Sequence, residues 1–388
     1  MPHNSSPRGA KAGLPDIAER PSSSTVSPLA ATPLAATPLS ATQSTILGGS
    51  DEFSPDRPQR AASPEWQREL QQAVRDDASL RRLTGHAESN SPEALSAAAA
   101  FRVLAPLSYM GRIRSGDATD PLLRQVLPSP EETRETPGFS HDPVGDAAAE
   151  RAPGLLQKYQ GRALLVTTSH CAVHCRYCFR RSYPYNESPN TDQEWEAAWR
   201  SISDDATIRE VILSGGDPLT LSDARLSRIA ERLAAIERLK TLRIHTRLPI
   251  VIPSRVDDAL LAWLEPLRLA KIVVLHANHA NELDAQVAAA AAKLRSVGVL
   301  LLNQAVLLAG VNDSVDAQAD LCERLIEIGV LPYYLHQLDR VYGAAHFETP
   351  VARGREIMAD LQARLPGYAT PRYVQEVAGC ASKQLLYP

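Results

Sequence analysis

The chain has 388 residues, 44% hydrophobic and 22% charged, with a formal net charge of -4. That balance belongs to a globular protein with room for a sizeable core, and a single α/β barrel can by itself take about 250 residues or more. The slightly acidic charge implies no nucleic-acid partner, and the longest apolar stretch, 297–311, is broken by Asn303 and Gln304, well short of the ~20 apolar residues of a membrane span.

Residues 1–62 are rich in Pro, Ser, Thr and Ala and contain the near-repeat "LAATPLAATPLSATQ". They have too few large apolar side chains to offset ordering entropy, so a disordered tail is expected. The tail lacks an apolar run of secretory length, and Asp16 and Glu19 speak against a transit peptide; with clustered cysteines this predicts a soluble protein of the reducing cytoplasm. Over 63–150 the stretches "SPEWQRELQQAVRDD" and "SPEALSAAAAFRVL" open on Ser-Pro, which suits helix starts, and predict a helical N-terminal region with a Pro-rich lead-in.

A core over 151–350 follows. Apolar runs at "RALLVTT", "IREVILS", "LKTLRIHT", "KIVVLHA", "GVLLLNQAV" and "GVLPYYLHQLD" alternate with helical stretches such as 191–204, 222–236, 282–297 and 314–328. Near-continuous apolar strands separated by helices argue for a parallel sheet covered on both faces. Six βα units fit an incomplete barrel, (β/α)6, with a doubly wound sheet as the runner-up. Residues 351–388 form a C-terminal helix and a small-residue segment, "AGCASK". In such barrels chemistry gathers at the C-terminal ends of strands, and there the polar segments "SHCAVHCRYC", "SGGDP", "HTR", "HANHANE" and "HQLD" fall.

Three of the five cysteines, Cys171, Cys175 and Cys178, stand within eight positions as C-x3-C-x2-C. Structural zinc wants four ligands, which His170 or His174 could complete, but such sites usually pair two knuckles and only one is present. Three thiolates can instead hold three irons of a [4Fe-4S] cluster, leaving the fourth iron for an external ligand such as S-adenosylmethionine. This spacing after the first strand is the pattern of the radical S-adenosylmethionine superfamily. Ser214, Gly215, Gly216 and Asp217 of "SGGDP" are expected to meet the methionine end of that ligand, the glycines by letting backbone approach and Asp217 by accepting from its ammonium group. The alternative for this motif is a tight strand-to-helix turn.

The chain has only six lysines. If one forms a Schiff base it must sit in the site. Lys11 lies in the tail, Lys158 before the first strand, Lys240 and Lys271 at strand starts and Lys293 in a helix, which leaves Lys383 as the candidate.

From about residue 63 to the end the chain resembles the lysine 2,3-aminomutase family. The resemblance is carried by "LLQKYQGRALLVTTSHCAVHCRYCFRRSYPY", "ILSGGDPLTLSD", "LRIHTRLPIVIPSR", "HANHANEL", "LLNQAVLLAGVND", "PYYLHQLDRVYGAAHF" and "GCASK". "CRYCFRR", "RIHTRLPIVIP", "LDRVYGAAHF" and the short C-terminus resemble most the branch that makes (R)-β-lysine for elongation factor P. The resemblance implies a partial radical S-adenosylmethionine barrel with a C-terminal segment that binds pyridoxal 5'-phosphate. It implies Cys171, Cys175 and Cys178 as cluster ligands and Lys383 as the cofactor lysine. Arg180 would receive the substrate carboxylate, Asp339 and Glu376 its distal ammonium, and Tyr159 and Arg162 would contact the cofactor. Glu376 departs from the aspartate common at its position. The implied substrate is L-lysine, the implied electron donor a flavodoxin or ferredoxin type, and the implied pathway link elongation factor P and its lysyl ligase. Extra C-terminal cysteines that bind zinc in clostridial-type relatives are lacking, and Ser314 stands where a partner cysteine would fall, so no zinc is expected. Cys322 and Cys380 read as lone thiols. The rivals are a glutamate-type or biosynthetic lysine aminomutase, and a zinc- or cluster-bearing module without turnover.

Overall fold

Alternation of apolar strands with capped helices builds one sheet whose strands follow each other in sequence order. The computed structural model describes residues 63–89, 91–185, 189, 191 and 193–387; residues 61–388 cluster as a unit, and the tail predicted over 1–62 lies outside the described residues. Strands β1 (Glu150–Ala152) and β2 (Leu155–Leu156) form an antiparallel lead-in to β3 (Arg162–Val166). Then β4 (Glu210–Ser214), β5 (Thr241–Thr246), β6 (Ala270–Leu275), β7 (Leu300–Val306) and β8 (Leu331–His336) add in parallel register. These are the six strands expected from the apolar runs. Two more were not expected: β9 (Arg372–Gln375) continues the parallel run beside β8, and β10 (Gln384–Leu385) pairs antiparallel with β9. The C-terminal segment is thus part of the sheet.

Before the sheet lie α1 (Glu65–Gln71), α2 (Asp77–Leu83), α3 (Pro92–Ala100), α4 (Leu107–Met110) and α5 (Pro121–Arg124). The Ser-Pro start predicted for α3 is present, since Ser91 caps it by accepting from Ala94 N with Pro at the first turn. Around the sheet stand α6 (Glu196–Asp204), α7 (Asp223–Ala234), α8 (Leu248–Val251), α9 (Asp258–Leu264), α10 (Ala285–Ser296), α11 (Val315–Glu327) and α12 (Val351–Arg364). Four of them start where Ser222, Asp257, Asp284 or Ser314 accepts a bond from the third residue of the helix, satisfying an otherwise orphaned N–H. Ser314, singled out for its missing thiol, is therefore a helix cap. Val211, Leu213, Ile244, Val273, Leu275 and Leu335 are buried on one face of the sheet, the face that the helices cover.

This architecture points all C-terminal strand ends of β3 to β8 at one rim. The helical N-terminal region closes that rim from the side: His174 N donates to Leu104 O at 2.9 Å and Arg176 N to Gln125 O at 2.9 Å, so the cysteine loop is seated on the segment that precedes the sheet.

Candidate active site

A cavity of about 620 Å3 opens at that rim, within the range of about 300–1,000 Å3 usual for ligand sites. All thirteen residues singled out in the sequence line it. So do Asp146, Lys158, Arg247, His245, His276 and His336, which sequence reasoning had not assigned to the site.

The cysteine loop is held from behind by buried charge. Arg176, between two of the cysteines, donates from Nε to Glu132 Oε1 at 2.7 Å and from Nη2 to Glu132 Oε2 at 2.5 Å, with side chains 0% and 1% exposed. Arg247, at the end of β5, donates from Nη1 to Cys175 Sγ at 2.7 Å and from Nη2 to Glu282 Oε2 at 2.9 Å and Gln125 Oε1 at 2.7 Å. Burial, then the neighbouring thiols, raises the Cys171 thiol well above its usual range. Burial and Cys175 push Cys178 up to about 11. Among the described residues no three His, Cys, Asp or Glu side chains converge on one point as a single ion requires. Three thiols spread around a cavity wall suit a multi-iron cluster, which takes one sulfur per iron, better than one tetrahedral metal.

The "SGGDP" segment is welded to this loop. Gly216 N donates to Thr168 O at 2.7 Å and Asp217 N to His170 O at 2.7 Å. A Cβ on Gly216 would stand 2.3 Å from His170 O, and one on Gly215, whose φ is +122°, 2.6 Å from Thr168 O. The glycines are therefore required by the approach of two protein backbones, and both also line the cavity. Asp217 differs from expectation. Its Oδ1 accepts from Thr246 Oγ1 at 2.6 Å and Leu219 N at 3.1 Å, and its Oδ2 from Arg247 N at 2.7 Å and Leu248 N at 3.0 Å. These four bonds fill the carboxylate's lone pairs, so Asp217 ties β4 to the turn after β5 and has none left for an ammonium group.

On the other wall Arg180 Nε donates to Asp146 Oδ2 at 2.7 Å and Nη1 to Ser214 Oγ at 3.0 Å. Desolvation disfavours its charge, but the Asp146 carboxylate outweighs that and raises the guanidinium above its usual value. Its Nη2 takes part in neither bond and remains for a ligand. Lys383 sits in the turn between β9 and β10 and donates to Glu376, which also accepts from Tyr159 Oη at 2.6 Å. Tyr159 thus spends its hydroxyl on Glu376, and its ring lies under Arg162, whose Cζ is 4.6 Å from the centroid. Arg162 makes no hydrogen bond or ion pair among the described residues, and its Nε is buried and unpartnered. A cation in that state fits an anionic group such as a phosphate. The Nε2 atoms of His245, His276 and His336 are likewise buried without a partner, and burial lowers all three imidazoles, His276 to about 3. They stand at strand ends already picked out as polar rim segments, which was the available signal.

Lys158 corrects the elimination argument. It lines the same cavity as Lys383, with Nζ 2.7 Å from Asp146 Oδ1, 2.8 Å from Val144 O and 3.8 Å from Glu376 Oε1. Its amine is already engaged by a carboxylate and a carbonyl.

Asp339 makes no side-chain hydrogen bond or ion pair among the described residues, and burial pushes its carboxyl up to about 7 against the pull of Lys383. In the unfolded chain the group ionises near ~4. Between these values the folded state holds a proton that the unfolded state lacks, so stability from this group falls as pH rises through that window. Asp339→Asn is expected to flatten this fall, read from denaturation midpoints at about pH 5 and about pH 7.5; an unaltered pH dependence would refute the assignment.

Residues 165–322 match the model of the Radical SAM superfamily, whose members use a [4Fe-4S] cluster and S-adenosylmethionine. An L-lysine 2,3-aminomutase of Escherichia coli (strain K12) is 44% identical over 320 residues, 82% of this chain and 93% of that protein. The enzyme of the same name from Haemophilus influenzae is 40% identical over 331 residues, 85% of this chain and 98% of that one. That of Clostridium subterminale is 34% identical over 281 residues, 72% and 67% respectively. With identity of this level over more than four fifths of the chain and nearly the whole length of the Escherichia coli and Haemophilus influenzae relatives, the chain belongs to the lysine 2,3-aminomutase family of radical S-adenosylmethionine enzymes and is an isomerase of the aminomutase type.

Proposed function

We propose that the protein moves the α-amino group of L-lysine to carbon 3, giving (R)-β-lysine, with pyridoxal 5'-phosphate as a further cofactor. The observation that carries this reading is one cavity lined both by a locked arginine, Arg180, and by two acids, Asp339 and Glu376. A substrate with a carboxylate at one end and an ammonium at the other satisfies both, whereas a glutamate side chain would bring a second anion to the acids, at a cost. The bound groups supply a hydrogen-abstracting radical and an electron-accepting ring.

In this reading Cys171, Cys175 and Cys178 hold the cluster, Lys383 holds the pyridoxal group, and Arg162 its phosphate. Ser214 fixes Arg180 from its Oγ. Gly215 and Gly216 offer backbone to the methionine end of S-adenosylmethionine, while Asp217 acts at one remove by fixing the β5 turn. Tyr159 orients Glu376. The enclosing wall of β8 to β10 and the N-terminal segment keeps water from the reacting carbon. The product would supply a ligase that modifies elongation factor P, and the electron would come from a flavodoxin or ferredoxin type donor in the cytoplasm.

Anaerobically reconstituted protein, given S-adenosylmethionine, a reductant and isotopically labelled L-lysine, is expected to yield labelled (R)-β-lysine and to carry iron and sulfide near about four per chain. Absence of β-lysine under those conditions would sink the substrate assignment, and the S enantiomer would sever the link to elongation factor P.

A further inference from the structure

The site contains its own copy of the group it is proposed to recognise. Lys158 ends in the same primary ammonium as a lysine substrate, and its Nζ lies only 3.8 Å from Oε1 of Glu376. Two side chains therefore compete with the substrate for that acid. Lys383 contacts Glu376 directly, but its amine is the one expected to be consumed in holding the cofactor. Lys158 has no such release.

What restrains Lys158 is Asp146. Its Oδ1 lies 2.7 Å from Lys158 Nζ, with the carboxylate 4% exposed, and the Val144 carbonyl accepts from the same ammonium at 2.8 Å. The other oxygen, Oδ2, takes Arg180 Nε at 2.7 Å. Both flanking cations act with Arg180 first to hold the Asp146 carboxyl below its usual value despite burial, so it stays ionised. Asp146 is fixed in turn, because its N–H donates to Asp142 Oδ1 at 2.8 Å. A charge runs through the wall in alternation: Arg180, Asp146, Lys158, Glu376.

We propose that Asp146 is a specificity-determining positioning residue: it parks the Lys158 ammonium short of Glu376, leaving that acid to a free cationic amino acid, while it aims Arg180 at the opposite end. This rests on the lysine reading above. Without the Asp146 charge the nearest remaining carboxylate for Lys158 is Glu376, and the movement required is small. The acid would then be neutralised from within, and selectivity for a distal ammonium would fall even though neither Asp339 nor Glu376 had changed.

The test compares binding of L-lysine and L-norleucine, whose side chain is that of lysine without the ammonium, to protein loaded with cluster and pyridoxal 5'-phosphate but without S-adenosylmethionine. The readout is the shift of the cofactor's visible absorbance on titration, which needs no turnover. In Asp146→Asn both ligands weaken through the loosened Arg180, but the lysine-to-norleucine affinity ratio is expected to fall about tenfold, the scale of one lost charge-assisted bond. Adding Lys158→Met to Asp146→Asn is expected to restore the ratio. An unchanged ratio in Asp146→Asn, or a fall that Lys158→Met does not restore, overturns the proposal. Should Asp146→Asn fail to fold, Lys158→Met alone decides: a kept or increased ratio supports it and a reduced one overturns it. If the unaltered protein does not prefer lysine to norleucine, the lysine reading itself fails, a result distinct from either.

Discussion

Lys383→Ala is expected to remove the visible absorbance of bound pyridoxal 5'-phosphate and to lower turnover by at least about a thousandfold, as loss of a covalent cofactor anchor does, while iron and sulfide content stay as they were. The separation of the two effects follows from the fold. The cysteine loop is braced by Glu132, Gln125 and Leu104, none of which hydrogen-bonds to the β9 to β10 turn that carries Lys383 among the described residues. The other lysine of the cavity is not placed to take over, because Lys158 Nζ is engaged by Asp146 Oδ1 at 2.7 Å and by the Val144 carbonyl at 2.8 Å. Removing Lys383 also strips Glu376 of its closest cation, so the variant should bind free L-lysine no worse at that acid. A Lys383→Ala protein that keeps the cofactor absorbance would show that the anchor lies elsewhere.

Glu132→Ala should be the costliest single change outside the cavity. Arg176 would be left as a wholly buried guanidinium with only the Phe101 and Ala97 carbonyls for partners, at 2.5 and 3.1 Å. Breaking a buried pair from one side costs about 3–5 kcal/mol. Arg181, which also donates to Glu132 Oε2 at 2.8 Å, loses its carboxylate in the same stroke. Because Arg176 lies between Cys175 and Cys178, the expected result is a lowered denaturation midpoint together with iron content below that of the parent after identical reconstitution. Glu132→Gln keeps the shape and part of the hydrogen bonding, and should fall between the two. If Glu132→Ala unfolds at the parental midpoint and retains its iron, the bracing role is wrong.

The barrel was legible because its strands are largely apolar runs and its helices begin at Ser or Asp caps, signals that need only local sequence. Strand β9 was not, since "RYVQ" is four residues with a charged start and pairs only because β8 offers a free edge. The thirteen marked residues do share one cavity, yet motif spacing could not tell contact from support. "SGGDP" does not reveal that its glycines pack against a neighbouring loop as well as lining the cavity, or whether Asp217 meets a ligand or caps a turn. Asp146 went unmarked and Lys158 was set aside for a different reason. They lie in irregular chain, Asp146 before β1 and Lys158 between β2 and β3, and their meeting with Arg180 and Glu376, as far as 218 positions away for Lys158, is a product of folding.

The seating of the cysteine loop on the N-terminal segment bears on how far this catalytic unit can be cut or grafted. The stretch shared with the wider superfamily, 165–322, holds Arg176 and Arg180 but neither Glu132 nor Asp146. Isolated, or transplanted into a chimera with a foreign leader, that stretch would carry two guanidiniums stripped of their counter-charges in its interior. The enzyme is modular in pedigree but not in electrostatics: its barrel has no autonomy from the flank that neutralises it.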